Sequence, residues 1–188
     1  MDELIKNKIN DFWSKKAIKT PNGQWVRWWQ SPHIIRTINK KVSGVACNGF
    51  SQGLINLAKE HSKGRTYKRG ISVGCGSGNK EMNLIQQGLL EEFTLYELAE
   101  ERIKAGRKLA QQLGIEAKVN FIESDALKIE TREASYDFVH WNKALHHMMD
   151  TEEAVKWSHH VLEEGGMFYM DDYVGLPGFS GQIQCLKL

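Results

Sequence analysis

The hydrophobic positions change rhythm about a third of the way along the chain. Residues 3–16 carry Leu4, Ile5, Ile9, Phe12 and Trp13 at helical spacing, which predicts an amphipathic helix. Pro21, Asn22 and Gly23 mark a turn, and Trp25, Trp28 and Trp29 follow before Pro32. A second helix is expected over 33–43, with Ile34, Ile35, Ile38 and Val42 on its apolar side and Gly44 as its stop. A third is expected over 51–62, carrying Leu54, Ile55, Leu57 and Ala58. No strand pattern occurs in this stretch, so residues 1–68 read as an N-terminal helical cap.

From residue 69 the pattern alternates. An apolar strand at 70–73 runs into Gly74-Cys75-Gly76-Ser77-Gly78 and a helical stretch to residue 88. Strands are expected at 93–97, 118–122 and 136–141. Between the first two of these lies a helix over 99–113, with Ile103, Leu109, Ala110 and Leu113 inward and Gly114 as its stop. Asp150 and Glu153 form a capping box for a helix expected to end at Gly165-Gly166, before a fifth strand at 167–170. Short strands alternating with helices predict right-handed crossovers and a parallel sheet, hence an α/β fold over residues 69–188.

Composition narrows the class. A chain of 188 residues suits one domain, or one domain with an appendage. With 41% hydrophobic residues, 26% charged residues and 3 prolines, it is neither disordered nor fibrous in character. No apolar run approaches the roughly 20 residues that span a bilayer, so no membrane partner is expected. The opening MDELIKNKINDFW has mixed charge and no apolar signal core. Cys47, Cys75 and Cys185 are widely spaced, which argues against a disulfide framework and for a reducing, cytoplasmic location. Neither an HxxxH pair nor a His-plus-Cys set suggests a metal site. The net charge of +2 conceals an asymmetry: residues 1–70 hold 14 Lys/Arg against 4 Asp/Glu. Such a block can attract nucleic acid or an acidic ligand, but its scattered distribution favours a solvated face.

In an open parallel sheet, ligands bind beyond the carboxyl ends of the strands. The glycine turn at 74–78 stands at one such end, and Glu97 at the next can accept both hydroxyl hydrogens of a ribose. After the third strand, Asp125 can accept from an exocyclic adenine amine while Ala126 and Leu127 contact the ring; a plain Asx cap is the alternative. Asn79 occupies the position of the third glycine in a dinucleotide fingerprint, so the spacing favours another adenosine cofactor. On the acceptor side, His146 and His147 follow the fourth strand, and either could take a proton from a hydroxyl or simply pack beneath the next helix. Asp171 and Asp172 end the fifth strand as substrate-orienting groups or as a solvated pair, and Tyr173 follows with a hydroxyl that could orient an acceptor. Trp25, Trp28 and Trp29 read more readily as core than as a ligand platform, and Arg27 and Arg36 could meet an acidic acceptor.

Taken in order, ISVGCGSGNKE, Glu97, the SDA loop, YDFVHWNKALHHM and EEGGMFYMDDYVG resemble class I S-adenosylmethionine-dependent methyltransferases over residues 69–175. INKKVSG at 38–44 and DDYVG at 171–175 are similar to a small-molecule subgroup associated with sugars, polysaccharides and secondary metabolites. The resemblance implies a Rossmann-like, mostly parallel sheet in the order 3-2-1-4-5, with S-adenosyl-L-methionine as cofactor. It would set Gly74, Cys75, Gly76 and Gly78 along the methionine and ribose, Glu97 and Leu98 at the ribose, Asp125 and Ala126 around the adenine, and Asn142 near the methionine end. His146, His147, Asp172 and Tyr173 become the catalytic candidates.

The implied function is in-line methyl transfer to an O, N or C nucleophile of a small molecule. Alternatives are an inactive S-adenosylmethionine-binding protein acting through association and, less favoured, a nicotinamide oxidoreductase. HWNKAL lacks the Asn/Asp-Pro-Pro-aromatic segment of base-amine methylation, so nucleic acid is not the expected partner. The resembled fold has seven strands, and little chain follows the fifth here. A shortened C-terminus, or a homo-oligomer covering the exposed sheet edge, is therefore expected.

Overall fold

A computed structural model of the protein describes residues 31–172. The helix expected over 3–16, the three tryptophans, Arg27, Tyr173 and Cys185 lie outside the described residues. The described chain divides into two compact units, residues 31–66 and 67–172.

The first unit is a helical hairpin. Helix α1 (Pro32–Ser43) has proline in its first turn, where no amide is lost, and ends at Gly44 with φ 76°. Helix α2 (Gln52–His61) buries Leu54, Ile55 and Ala58. The expected apolar side of α1 needs correcting, because Ile38 is exposed and Asn39 is the buried residue. Asn39 serves as a polar hub: its amide donates to the carbonyls of Cys47 and Gly49, and its oxygen accepts from Gly53 N, each at 2.9 Å. A Cβ at Gly53 would lie 2.7 Å from the Asn39 backbone, so glycine is what lets the two helices approach.

The second unit is a parallel sheet of five strands in the order β3-β2-β1-β4-β5. The strands are β1 (Tyr67–Val73), β2 (Leu90–Glu97), β3 (Val119–Glu123), β4 (Tyr136–Asn142) and β5 (Leu162–Asp171). Helices α3 (Asn79–Gln86), α4 (Glu100–Gln112) and α5 (Thr151–Val161) connect them. Strand alternation sends Ile71, Val73, Val139 and Trp141 to one face, where Ala154 and Val161 of α5 cover them. The Trp141 indole donates to Ser158 Oγ at 2.9 Å, so its one polar atom is satisfied inside that core. On the opposite face Phe93, Leu95, Phe138 and His140 are buried, as are Met82 and Ile85 of α3 and Ile103 and Ala110 of α4.

Two expectations fail in detail. Helix α5 stops at Val161 instead of Gly165-Gly166, and the residues between belong to β5. Leu162 already pairs with Tyr136, and the ladder then shifts so that Phe138 faces Met167. Gly165, at φ 72°, accommodates that irregularity, so the glycine pair marks a bulge and not a helix end. Leu113, expected inward, is exposed just past the end of α4. The capping expectation for α5 holds, with the Asp150 carboxylate accepting from Glu153 N at 2.8 Å.

Candidate active site

The turn between β1 and α3 is built on left-handed backbone at alternate residues: φ is 65° at Gly74, 61° at Gly76 and 68° at Gly78. Its amides are largely committed internally. Gly74 N and Cys75 N donate to the Tyr96 carbonyl at 2.8 and 3.2 Å, and Gly78 N to the Cys75 carbonyl at 3.0 Å. Gly76 N donates to Glu97 Oε2 at 2.7 Å. A dinucleotide-binding turn keeps such amides for a pyrophosphate. Here a carboxylate and carbonyls already hold them, which suits a cofactor without phosphates. A side chain at Gly76 would collide with the Arg102 guanidinium, its Cβ lying 2.9 Å from Nη1, while one at Gly74 would meet Ala144 Cβ at 2.9 Å. The Arg102 and Ala144 side chains thus close on these two glycines and leave no room for a Cβ at either. Gly78 also serves packing, since a Cβ there would lie 3.0 Å from both Leu95 and Phe121.

Glu97 is buried at the end of β2 and organises this turn. Its Oε1 accepts from Leu98 N at 2.8 Å and Ala99 N at 3.0 Å, in addition to the Gly76 bond on Oε2. An ionised carboxylate offers about four acceptor positions, which leaves capacity on Oε2 for a ribose hydroxyl. After β3, Asp125 Oδ1 accepts from Leu127 N at 3.3 Å and caps a single 3₁₀ turn, Ala126–Lys128. Ala126 is wholly buried in the cluster that contains Val73 and Tyr96, so its side chain is committed to the core.

At the ends of β4 and β5 the structure assembles a histidine–aspartate pair. Asn142 faces Asp171 in register, and Lys143 N extends the ladder to the Asp171 carbonyl at 2.9 Å. Lys143 then takes φ 52°, an uncommon conformation for a side-chain-bearing residue, and turns the chain back over β5. As a result Leu145 N and His146 N both donate to Asp172 Oδ2, at 2.7 and 3.3 Å, while His146 Nδ1 meets Asp172 Oδ1 at 2.5 Å. The Asp172 carboxylate is 1% exposed and the His146 side chain 32%, so the acid is buried and the base faces outward. Nδ1 is the ring nitrogen that meets the carboxylate, so Nε2 is the nitrogen left for another partner. The ring of His147 lies against that of His146, with centroids 3.9 Å apart and the planes tilted by 44°. The structure thus brings His146, His147 and Asp172 together, a pairing the sequence analysis did not anticipate.

Sequence reasoning missed a second cluster on the buried face of the sheet. Ser72 and His140 are partners in the β1–β4 register. Glu81, in the first turn of α3, reaches both: Ser72 Oγ donates to Glu81 Oε1 at 2.7 Å and His140 Nδ1 lies 2.9 Å from the same oxygen. Burial would raise the Glu81 carboxyl, but the charge and hydrogen bond of His140 and the Ser72 hydroxyl overcome it and hold the group below its ordinary 4.5. Strand alternation with Phe138 was a signal that His140 points inward. Helical spacing with Met82 and Ile85 was the matching signal for Glu81.

Cys75 is no nucleophile. Burial pushes its thiol well above the ordinary value, and the charges of Glu81 and Glu97 push the same way. Among the described residues no group of His, Cys, Asp and Glu could hold a metal ion, and no helix is long and apolar enough to cross a membrane.

A parallel sheet in this order, with a glycine turn after β1 and a buried acid ending β2, is the architecture of the class I S-adenosylmethionine-dependent methyltransferases. The chain belongs to the family described as "Methyltransferase domain", whose model matches residues 65–184. Among curated proteins, 27-O-demethylrifamycin SV methyltransferase of Amycolatopsis mediterranei (strain S699) is 25% identical over 117 residues, covering 62% of this chain and 43% of that protein. Norajmaline N-methyltransferase of Rauvolfia serpentina is 24% identical over 106 residues, covering 56% of this chain and 36% of that protein. The matches thus span less than half the length of each of these relatives. The solved structure of the cyclase SpnF shares the fold, with a TM-score of 0.53 and 18% identity over 71% of this chain and 54% of that one.

Proposed function

We propose that the protein transfers a methyl group from S-adenosylmethionine to a hydroxyl of a small organic molecule, with His146 as the general base. The observation that carries this reading is the His146–Asp172 pair standing on the same sheet edge as the glycine turn and Glu97. A methyl acceptor that is already a free nucleophile needs no base, whereas a hydroxyl gains from one. The buried Asp172 is what makes His146 a base of defined tautomer.

The turn residues fit the cofactor. Glu97 Oε2 would accept from the ribose, and the glycine backbone would run beside the methionine portion. Leu98 would lie at the ribose, Asp125 at the adenine amine and Asn142 at the methionine end. When bound, S-adenosylmethionine supplies an electrophilic methyl on a sulfonium, with a neutral thioether as leaving group. His146 Nε2 takes the hydroxyl proton as the acceptor oxygen becomes nucleophilic, and Asp172 stabilises the imidazolium formed. His147, whose ring lies tilted against that of His146, and Tyr173 are the remaining acceptor-side candidates.

Support for the acceptor class comes from the relatives, one named for an O-demethylated rifamycin and one for an N-methylated alkaloid. The second reading is a protein that binds S-adenosylmethionine without methyl turnover and acts through association.

Methyl-labelled S-adenosylmethionine incubated with hydroxylated polyketide, glycoside and alkaloid acceptors tests the proposal. Label should reach an acceptor hydroxyl, and His146→Ala should cut the rate by about 10²–10⁴-fold. Transfer that His146→Ala leaves unchanged contradicts the base assignment, and absence of transfer to any acceptor favours the second reading.

A further inference from the structure

Ser72, Glu81 and His140 are 1% exposed each and take no part in the chemistry above. Their place in the chain is distinctive. Ser72 precedes the glycine turn by two residues, Glu81 follows it in the first turn of α3, and His140 precedes Asn142 on β4. Glu81 Oε1 accepts from Ser72 on one flank of the turn and contacts His140 on the strand that leads into the His146 loop. Ser72 Oγ and His140 Nδ1 are themselves 3.3 Å apart. From these contacts we infer that Glu81 is a positioning residue, whose carboxylate holds both flanks of the glycine turn in register with β4 so that the cofactor surface keeps its shape. The inference rests on the cofactor reading given above.

Stability alone accounts poorly for the cluster. A buried carboxylate and imidazole are seldom more stable than apolar residues of the same volume, even where their mutual bonds outweigh burial for the acid itself. The aromatic surroundings sharpen that cost, with Tyr169 and Phe93 ring centroids 5.2 and 5.9 Å from the His140 ring. Nor is the carboxylate fully satisfied, since Oε2 is buried and accepts no hydrogen bond among the described residues. What the arrangement does supply is directional bonds at low dielectric, which fix geometry. One end of that geometry is the turn itself, where the Glu81 charge is felt by the Cys75 thiol. The other is β4, two residues from the strand end that carries Asn142.

Calorimetric titration with S-adenosylhomocysteine, alongside thermal melting, separates positioning from bulk stability. Wild-type protein must bind; if it does not, the cofactor reading fails and not this inference alone. Glu81→Ala should weaken binding about tenfold, and Glu81→Gln, which keeps an acceptor for Ser72 and His140, should recover most of it. An affinity for Glu81→Ala within about twofold of wild type, whatever happens to the melting temperature, overturns the proposal. If Glu81→Ala does not fold, Ser72→Ala is read in its place. Weakened binding there supports the assignment, and wild-type affinity overturns it.

Discussion

Glu97 shows how one side chain can hold a site together while keeping room for a ligand. Three amides bind it, from Gly76, Leu98 and Ala99, and they orient both of its oxygens. Glu97→Gln replaces one acceptor oxygen by a donor, so an amide loses its partner and the ribose loses charge-assisted bonds. Calorimetry should find S-adenosylhomocysteine bound about tenfold more weakly, with folding stability lowered by about 1–3 kcal/mol. Asp172→Asn acts on the other half of the site, allowing the amide to donate to Nδ1 and fixing the wrong tautomer of His146. Methyl transfer should fall by at least about 10²-fold while cofactor affinity stays at the wild-type level; equal losses in both would mean that Asp172 only shapes the site. The places of Glu97 at the end of β2 and of Asp172 just after β5 were legible in the sequence, because the hydrophobic pattern marks where each strand stops. Glu81 and His140 were not, because their meeting is a tertiary event across 59 positions of chain.

At the scale of elements, strand and helix periodicity identified each connection in the α/β unit. The boundary most in error was that between α5 and β5, while β1 and β2 each begin three residues before the expected 70 and 93. The run Leu162-Glu163-Glu164-Gly165-Gly166 has no strand rhythm of its own and becomes part of β5 only through pairing with β4 and its register shift. Close approach of helix to sheet gives a sharper test of the packing. Gly106 of α4 would carry a Cβ 2.4 Å from Phe121 Cζ and 2.9 Å from the Ser77 carbonyl. Gly106→Ala should therefore cost about 1–3 kcal/mol in denaturant unfolding, since the backbone carbonyl cannot move aside as a flexible side chain would. A neutral result would mean that α4 is not seated this tightly on β3.

Over the whole molecule, charge and fold are read from different signals. The basic first third gave no direct information about the sheet, whereas the order of motifs from residue 69 onward implied its strand order, which the structure has. Buried Glu81 makes acid stability a property of the entire α/β unit. Because its carboxyl is held below 4.5 in the folded protein, its contribution is complete above that value and is lost as pH falls through the lower one. Melting temperature should thus fall less steeply with acidification below 4.5 in Glu81→Gln than in wild type. Matching acid profiles would mean that the carboxyl gains nothing on folding.

The glycine turn commits its amides to Tyr96, Cys75 and Glu97, and so favours a cofactor that brings ribose hydroxyls but no pyrophosphate. Parallel calorimetric titrations of the wild-type chain with S-adenosylhomocysteine and with NAD test that claim most directly. Saturable binding of S-adenosylhomocysteine, about tenfold weaker in Glu97→Gln, with no heat from NAD, is the predicted result. Binding of NAD in preference to the sulfur cofactor would contradict the account.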